Sequence, residues 1–187
     1  MKLIKQALIG AVLSAAAASS MASVIYSQDF SKGLQANETI SGLWSVTDGK
    51  LYRGPYGNNE KNFFYVSLDL SAYKDIRLSY DFWVDSERNW DALQLYTVDN
   101  HNQRTRIHYA DGFFSGKFDG KLSDSITKLE FSFTSDASTT YKGASIDNIL
   151  ITGTSTRPVP APVPEPGPVA LLGIGLAALV LRRRAII

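Results

Sequence analysis

Apolar residues at every second position in the middle of the chain are the feature that most constrains its fold. In the segment IRLSYDFWV, apolar side chains recur at alternate positions from Ile76 to Val84, with mostly polar residues between them. The segment KLEFSFTS repeats the pattern with Leu129, Phe131 and Phe133. A period of two places such side chains on one face of a β-strand, so both segments predict strands with one buried face.

Other segments between the chain termini also favour strands. The pair Asp48-Gly49 lies between two short β-prone runs, which is a strong hairpin signal. No helical periodicity occurs in this middle part. We therefore predict an all-β fold of eight to ten strands, an antiparallel two-sheet sandwich of the jelly-roll type, over residues 23–153. The further strand candidates are VIYSQDF, NFFYVSL, ALQLYTV, TRIHYA and ASIDNILIT.

The first 22 residues have the pattern of a secretory signal peptide. Lys2 and Lys5 precede an apolar run from Ala7 to Ala18, and small residues follow up to Ala22. A charged start, a short apolar stretch and a small-residue cleavage site are typical of such signals. We expect cleavage after Ala22 and export of the chain.

The last part of the chain predicts a linker and a short membrane segment. Residues 154–168 contain six of the seven prolines and form the expected linker, held extended by its prolines. Residues 169–187 contain a short apolar run and three arginines. At about 1.5 Å per residue the run is shorter than the ~30 Å hydrocarbon core, which arginines that reach the headgroups can offset. We predict a short transmembrane helix with its arginine cluster on the cytoplasmic side.

Three parts of this tail together resemble a PEP-CTERM sorting signal. Pro164, Glu165 and Pro166 precede the apolar run, and the cluster Arg182, Arg183 and Arg184 follows it. The resemblance implies that exosortase recognises the tripeptide and removes the tail. It also implies a protein that is membrane-anchored before processing and afterwards lies at the cell surface or outside the cell. The alternative is a plain C-terminal anchor that is never processed, which leaves the tripeptide unexplained.

Charge and cysteine content narrow the function classes. Five of the 19 basic residues lie in the two terminal segments, so 14 basic residues remain for the 18 acidic residues of the chain. The number of acidic residues falls to 17 if Glu165 is removed with the tail. A mildly acidic domain without a basic stripe argues against nucleic acid as a partner. The sequence has no cysteine, so the exported domain relies on its core, with a metal ion as a further stabiliser to consider.

The central domain also resembles jelly-roll modules of the MAM and carbohydrate-binding type. The resemblance rests on four segments, DFSKGL, LWSVTDGKL, VSLDLSAYKDIRLSYDFWVDSERNWDALQLY and the closing ASIDNILITG. It implies a structural Ca²⁺ where the first and last strands meet, at Asp29 and Asp147, and a second acidic pair at Glu87 and Asp91. The alternative is that Asp147 with its neighbour ends strand pairing and that Glu87 and Asp91 cap a solvated loop.

Three aromatic residues are candidates for ligand binding. Trp83 falls on the polar face of its strand, whereas Trp90 and Tyr56 fall in predicted loops. Exposed rings offer apolar faces that suit the C–H surfaces of sugars. The alternative for Trp83 is that it packs under a neighbouring loop or against the second sheet.

Catalytic signals are weak in this sequence. The two histidines, His101 and His108, are both expected to be solvated, and no nucleophile elbow or zincin spacing occurs. We therefore predict a non-enzymatic envelope or matrix protein for adhesion or association with exopolysaccharide or other glycans. Two alternatives stay open, an enzyme that acts on extracellular polysaccharide and a structural matrix protein without a specific ligand.

Overall fold

The computed structural model describes residues 22–157 as eleven β-strands. No helix in this part of the chain is long and apolar enough to cross a membrane. The predicted signal peptide, the Pro-Glu-Pro motif and the C-terminal helix lie outside the described residues. The strands are β1 (Ser23–Gln28), β2 (Glu38–Ser41), β3 (Ser45–Thr47), β4 (Lys50–Arg53), β5 (Lys61–Ser67), β6 (Tyr73–Asp85), β7 (Ala92–Asp99), β8 (Arg104–Asp111), β9 (Phe113–Leu122), β10 (Ile126–Thr134) and β11 (Gly143–Ser155).

The strands form two antiparallel sheets that face each other. The six-stranded sheet has the order β3-β4-β11-β6-β9, and β1 also pairs with β11. The five-stranded sheet has the order β2-β5-β10-β7-β8. Most neighbours within each sheet are distant in the sequence, as is typical of jelly rolls. The predicted all-β two-sheet sandwich is confirmed.

The predicted alternation places the expected side chains in the core. In β6, Ile76 to Val84 contribute every second side chain to the buried interior of the sandwich. In β10, Phe131 is fully buried, and its ring lies 5.8 Å from that of Phe64 and 5.0 Å from that of Tyr80, between ring centroids. Aromatic rings from both sheets therefore meet in one core.

The Asp48-Gly49 hairpin is also confirmed. Thr47 pairs with Lys50 across the turn that joins β3 to β4. The two central residues both have positive φ, 50° for Asp48 and 71° for Gly49. Two positive φ angles define the type I′ turn, which Asp-Gly pairs adopt readily.

Strand β11 holds the six-stranded sheet together by changing its partner halfway along. Residues Ala144 to Ile146 pair with β4, whereas the later part of the strand pairs with β1. The ladder to β6 shifts register between Asp147 and Leu150, and Asn148 lies there with a φ of 51°. The bulge lies in the predicted strand ASIDNILIT. It lets β11 pair with β4 along its first part and with β1 along its later part, on the same side.

His108 lies between the sheets, and the prediction that it is solvated is wrong. Its ring packs against Phe82 and Phe118 at centroid distances of 4.7 and 5.0 Å. The bulge in β8 next to His108 changes which side chains face inward, a change that the simple alternation of the sequence does not reveal. His101, in contrast, is exposed as expected.

Candidate functional site

The outer face of the five-stranded sheet carries a dense array of polar and aromatic side chains, here called the tyrosine face. Successive side chains of a strand point to opposite sides of the sheet, so the residues that alternate with the core positions all emerge here. The tyrosine face comprises Lys61, Phe63, Tyr65, Gln94, Tyr96, Arg104, Arg106, Tyr109, Asp111, Lys128, Glu130, Ser132 and Thr134.

Strand register arranges this face in rows that run across the sheet. In one row Tyr65 of β5 pairs with Glu130 of β10, Glu130 pairs with Tyr96 of β7, and Tyr96 pairs with Arg106 of β8. Paired residues of neighbouring strands stand about 5 Å apart, which is close enough for their side chains to interact. The next row places Ser132 at its centre.

Each of three cationic side chains lies over a tyrosine ring. The guanidinium of Arg104 lies 3.2 Å from the ring centroid of Tyr96. The guanidinium of Arg106 lies 5.1 Å from the ring centroid of Tyr109. On β10 the ammonium of Lys128 lies 5.1 Å from the ring of Tyr65, so cation–π contacts recur across the face.

Hydrogen bonds connect these pairs to one another. Glu130 is buried and accepts a 2.9 Å hydrogen bond from Nε of Arg104. The hydroxyl of Tyr96 donates to Oε1 of Gln94 at 2.5 Å, and Arg106 donates to the same oxygen at 3.3 Å. The amide of Gln94 in turn donates to Thr134 at 3.2 Å. The network fixes the side chains on a rigid sheet, which reduces the entropy that a ligand must remove on binding.

Ser132 lies at the centre of the face with an unused hydroxyl. The residue is 1% exposed, and its Oγ has no hydrogen-bond partner among residues 22–157. Phe63 and Gln94 stand beside it on the neighbouring strands. A buried hydroxyl without a partner loses hydration that nothing in the protein replaces.

A second candidate site is an acidic group at one end of the sandwich. Carboxylate oxygens of Glu87, Asp91 and Asp136 all lie within 4.8 Å of one another. The sequence singled out the first two, and the structure brings them together with a third. Asp136 follows β10, far from the others in sequence, so no local signal identified it.

Protein donors surround this acidic group. Asp91 is 0% exposed, and its Oδ1 accepts a 2.8 Å hydrogen bond from the backbone N–H of Asp136. Glu87 accepts hydrogen bonds from the hydroxyl of Ser138 and, at 3.2 Å, from the backbone of Thr139. None of the three carboxylates forms a salt bridge within the part of the chain that the structure describes. Three oxygen ligands without a basic partner suit a hard cation such as Ca²⁺.

Tyr56 belongs to the acidic group and not to the surface, so the prediction that it is exposed is wrong. Its side chain is 4% exposed, and its ring contacts Phe133 in the core at a centroid distance of 4.8 Å. Its hydroxyl donates to Oδ2 of Asp91 at 2.6 Å. Burial and this carboxylate raise the pKa of Tyr56, which keeps the phenol protonated as a donor.

Asp29 and Asp147, the other predicted metal ligands, lie next to the first strand and within the last strand of the domain, outside the three-carboxylate group. Asp29 accepts hydrogen bonds from the hydroxyl and backbone of Ser31, which hold its pKa below the ordinary value. Oδ1 of Asp147 accepts a 2.7 Å hydrogen bond from the backbone of Asn148. Asp29 and Asn148 line one groove of about 530 Å³.

The two remaining tryptophan candidates lie away from the tyrosine face. Trp83 is half-buried on the outer side of the six-stranded sheet, 6.5 Å from the ring of Tyr52 between centroids. Trp90 is 65% exposed in the loop before β7. That Trp83 and Trp90 contact a ligand remains a prediction.

The sequence predicted which side chains of each strand point away from the core, but it did not show that they form one face. Each strand showed its alternation, so the polar positions of NFFYVSL, ALQLYTV and KLEFSFTS were predictable one strand at a time. That these strands are neighbours in the order β5-β10-β7-β8 depends on long-range pairing, which the alternation does not encode.

Comparison with solved structures extends this description of the fold. A cleaved adhesin domain of Lys-gingipain from Porphyromonas gingivalis superposes with a TM-score of 0.54 at 14% identity, and the match covers 71% of this chain and 99% of that one. A variant of the family 29 carbohydrate-binding module CBM29-2 gives a TM-score of 0.50 at 11% identity, covering 76% and 92%. At such identities the likeness concerns the fold alone.

Sequence comparison identifies the tail. No curated protein matches the chain. Residues 162–184 match the PEP-CTERM protein-sorting motif. The chain therefore carries a PEP-CTERM protein-sorting motif beside an all-β jelly-roll domain whose structural neighbours include carbohydrate-binding modules.

Proposed function

We propose that this is an exported, exosortase-sorted protein whose jelly-roll domain binds polysaccharide without cleaving it, for adhesion at the cell surface or in the surrounding matrix. The observation that carries the proposal is the tyrosine face. It joins hydrogen-bonding side chains and aromatic rings on adjacent strands, as sites that recognise sugars do. The carbohydrate-binding-module-like fold supports the same function.

The sorting motif supports the proposed localisation. Export through the signal peptide and sorting by exosortase place the domain outside the cytoplasm, where extracellular polysaccharide is available. The membrane anchors the chain before the tail is removed. The domain then remains at the cell surface or is released.

The burial of Asp91 supports a structural and not a catalytic role for this carboxylate. Asp91 is fully buried, and each of its oxygens already accepts a hydrogen bond from the protein. A general acid or base must reach the substrate, which a carboxylate in this position does not. We assign Glu87, Asp91 and Asp136 to a structural Ca²⁺ instead, with Asp29 and Asp147 as the alternative location.

Binding of the purified full-length chain to a panel of soluble polysaccharides tests the proposal. Affinity electrophoresis should show retardation by at least one polysaccharide, and Tyr96→Ala should weaken it. Tyr141→Ala, an exposed tyrosine in the loop before β11, is the matched control and should bind as wild type does. Trp83→Ala and Trp90→Ala test the two tryptophan candidates. Release of reducing ends from any polysaccharide would contradict the non-catalytic assignment, and retardation by none would contradict binding.

A further inference from the structure

The tyrosine face differs in charge from the rest of its domain. Residues 22–157 contain 14 basic and 17 acidic side chains, so the domain has a formal charge of −3. By strand register the tyrosine face has four basic side chains, Lys61, Arg104, Arg106 and Lys128, against two carboxylates. These are Glu130 and, at the edge of the face, Asp111, which accepts hydrogen bonds from the hydroxyl of Tyr109 and the backbone of Asn89. Basic residues are therefore concentrated on one sheet face of an acidic domain.

Three of these cations have no carboxylate partner among residues 22–157. Glu130 forms its ion pair with Arg104. Lys61, Arg106 and Lys128 take part in no salt bridge among residues 22–157. Lys61 and Arg106 are exposed, and Lys128 is partly exposed. Unpaired charges on a fixed surface attract ions of the opposite sign and orient them before contact.

The same cations change what the tyrosines can offer to a ligand. Arg104 covers one face of the Tyr96 ring, and the Tyr65 ring lies between Phe63, stacked at 5.8 Å, and Lys128. The cations over Tyr96 and Tyr65 compete with a sugar for those ring faces, whereas Tyr109 keeps an exposed ring. The cations themselves keep N–H donors that suit carboxylate or sulfate oxygens.

From this arrangement we infer that the ligand is an acidic polysaccharide, whose anionic groups contact Arg106, Lys128 and Lys61 while its hydroxyls contact Gln94 and Tyr96. The inference rests on the proposed function, because it names the ligand class for the same face. Charge complementarity selects the polymer, and the hydrogen-bond network holds the basic side chains in place for it.

The test compares polymers that differ in charge and in chemistry. The purified full-length chain is titrated with polygalacturonate, alginate, neutral dextran and poly-glutamate at about 0.1 M salt. We expect binding to an acidic polysaccharide and weaker or no binding to the other two polymers. Raising the salt to about 1 M shortens the Debye length from about 10 to about 3 Å and should weaken the complex strongly.

Matched variants locate the interaction. Arg106→Gln with Lys128→Gln should lower the affinity about tenfold, from the loss of two exposed charge contacts. Lys50→Gln with Lys74→Gln removes the same charge from exposed positions of the six-stranded sheet and should bind as wild type does. Arg106→Lys with Lys128→Arg keeps both charges and should retain most of the affinity. This variant distinguishes the loss of charge from a disturbance of the fold by substitution at these positions.

The outcomes distinguish this inference from the proposed function. Equal binding to dextran would overturn the acidic ligand and leave polysaccharide binding intact. Binding to no polysaccharide would overturn both. Equal binding to poly-glutamate would show a general polyanion effect and would also overturn the inference. The same conclusion would follow if the Lys50→Gln, Lys74→Gln variant lost as much affinity as the Arg106→Gln, Lys128→Gln variant.

Discussion

The hydroxyl oxygen of Tyr80 lies 2.6 Å from Nδ1 of His108, and the pair lies between the two sheets. Burial raises the pKa of Tyr80 and lowers the pKa of His108, so both side chains are neutral near pH 7. In this state the phenol donates to the unprotonated Nδ1. Protonation of the imidazole would remove that acceptor and leave a charge among aromatic rings.

Stability should therefore fall in mild acid because of His108. An unfolded histidine has a pKa of about 6.5, and the folded pKa is lower, so the unfolded chain binds more protons between the two values. The contribution is complete above pH ~6.5 and is lost as the pH falls towards the folded pKa. Chemical unfolding between pH 8 and pH 5 should show this decline. His108→Phe should flatten the curve, whereas His101→Ala, at the exposed histidine, should leave it unchanged; a decline that persists in His108→Phe would assign it to other groups.

Phe131 should contribute strongly to stability because it contacts rings of both sheets. Phe131→Ala should lower the free energy of unfolding by about 3–5 kcal/mol through lost burial and a cavity. Phe113→Ala is the control, since Phe113 is 76% exposed and its truncation should cost less than about 0.5 kcal/mol. Equilibrium unfolding in urea measures both values. Similar losses in the two variants would contradict the assignment of the core.

Calcium should raise the thermal midpoint if the acidic group binds it. A cation that binds only the folded state adds about 2.7 kcal/mol at a hundredfold excess over its Kd. Melting of the full-length chain in calcium and in chelator should therefore differ, and Asp136→Asn should reduce the difference.

Two further variants complete the calcium experiment. Asp124→Asn, at an exposed aspartate just before β10, is the control and should respond to calcium as wild type does. Asp147→Asn should also respond. Loss of the response in Asp147→Asn but not in Asp136→Asn would place the ion at the Asp29–Asp147 location. Identical melts of the wild type with calcium and with chelator would exclude both sites.

Glu165 should be required for processing of the tail. It lies within the matched sorting motif, at the centre of the Pro-Glu-Pro tripeptide. Glu165→Ala should accumulate as the unprocessed chain in a host that contains exosortase, as seen by mass spectrometry of the membrane fraction. Asp124→Ala, at an exposed acidic residue of the folded domain, should be processed normally. Trimming of Glu165→Ala at the wild-type rate would refute recognition through this residue.

Local patterns were sufficient for the fold class. Alternation from Ile76 to Val84 and at Leu129, Phe131 and Phe133 predicted which face of each strand is buried, because the period of two is a property of the strand itself. The Asp48-Gly49 turn followed from backbone preferences of two adjacent residues. The sorting motif is likewise a linear pattern, and matching its residues required no tertiary structure.

The sequence by itself determined most of the strands, the turn and the sorting motif, whereas β2 and β9 of the eleven strands were not among the predicted segments. The tertiary structure decided which distant residues became neighbours. Tyr65, Tyr96 and Arg106 come from three strands, and they share a row only because β10 pairs with both β5 and β7. Asp136 joins Glu87 and Asp91 for the same reason. Long-range pairing depends on how two complete sheets bury their apolar faces together, so it is a collective property of the fold that no short segment encodes.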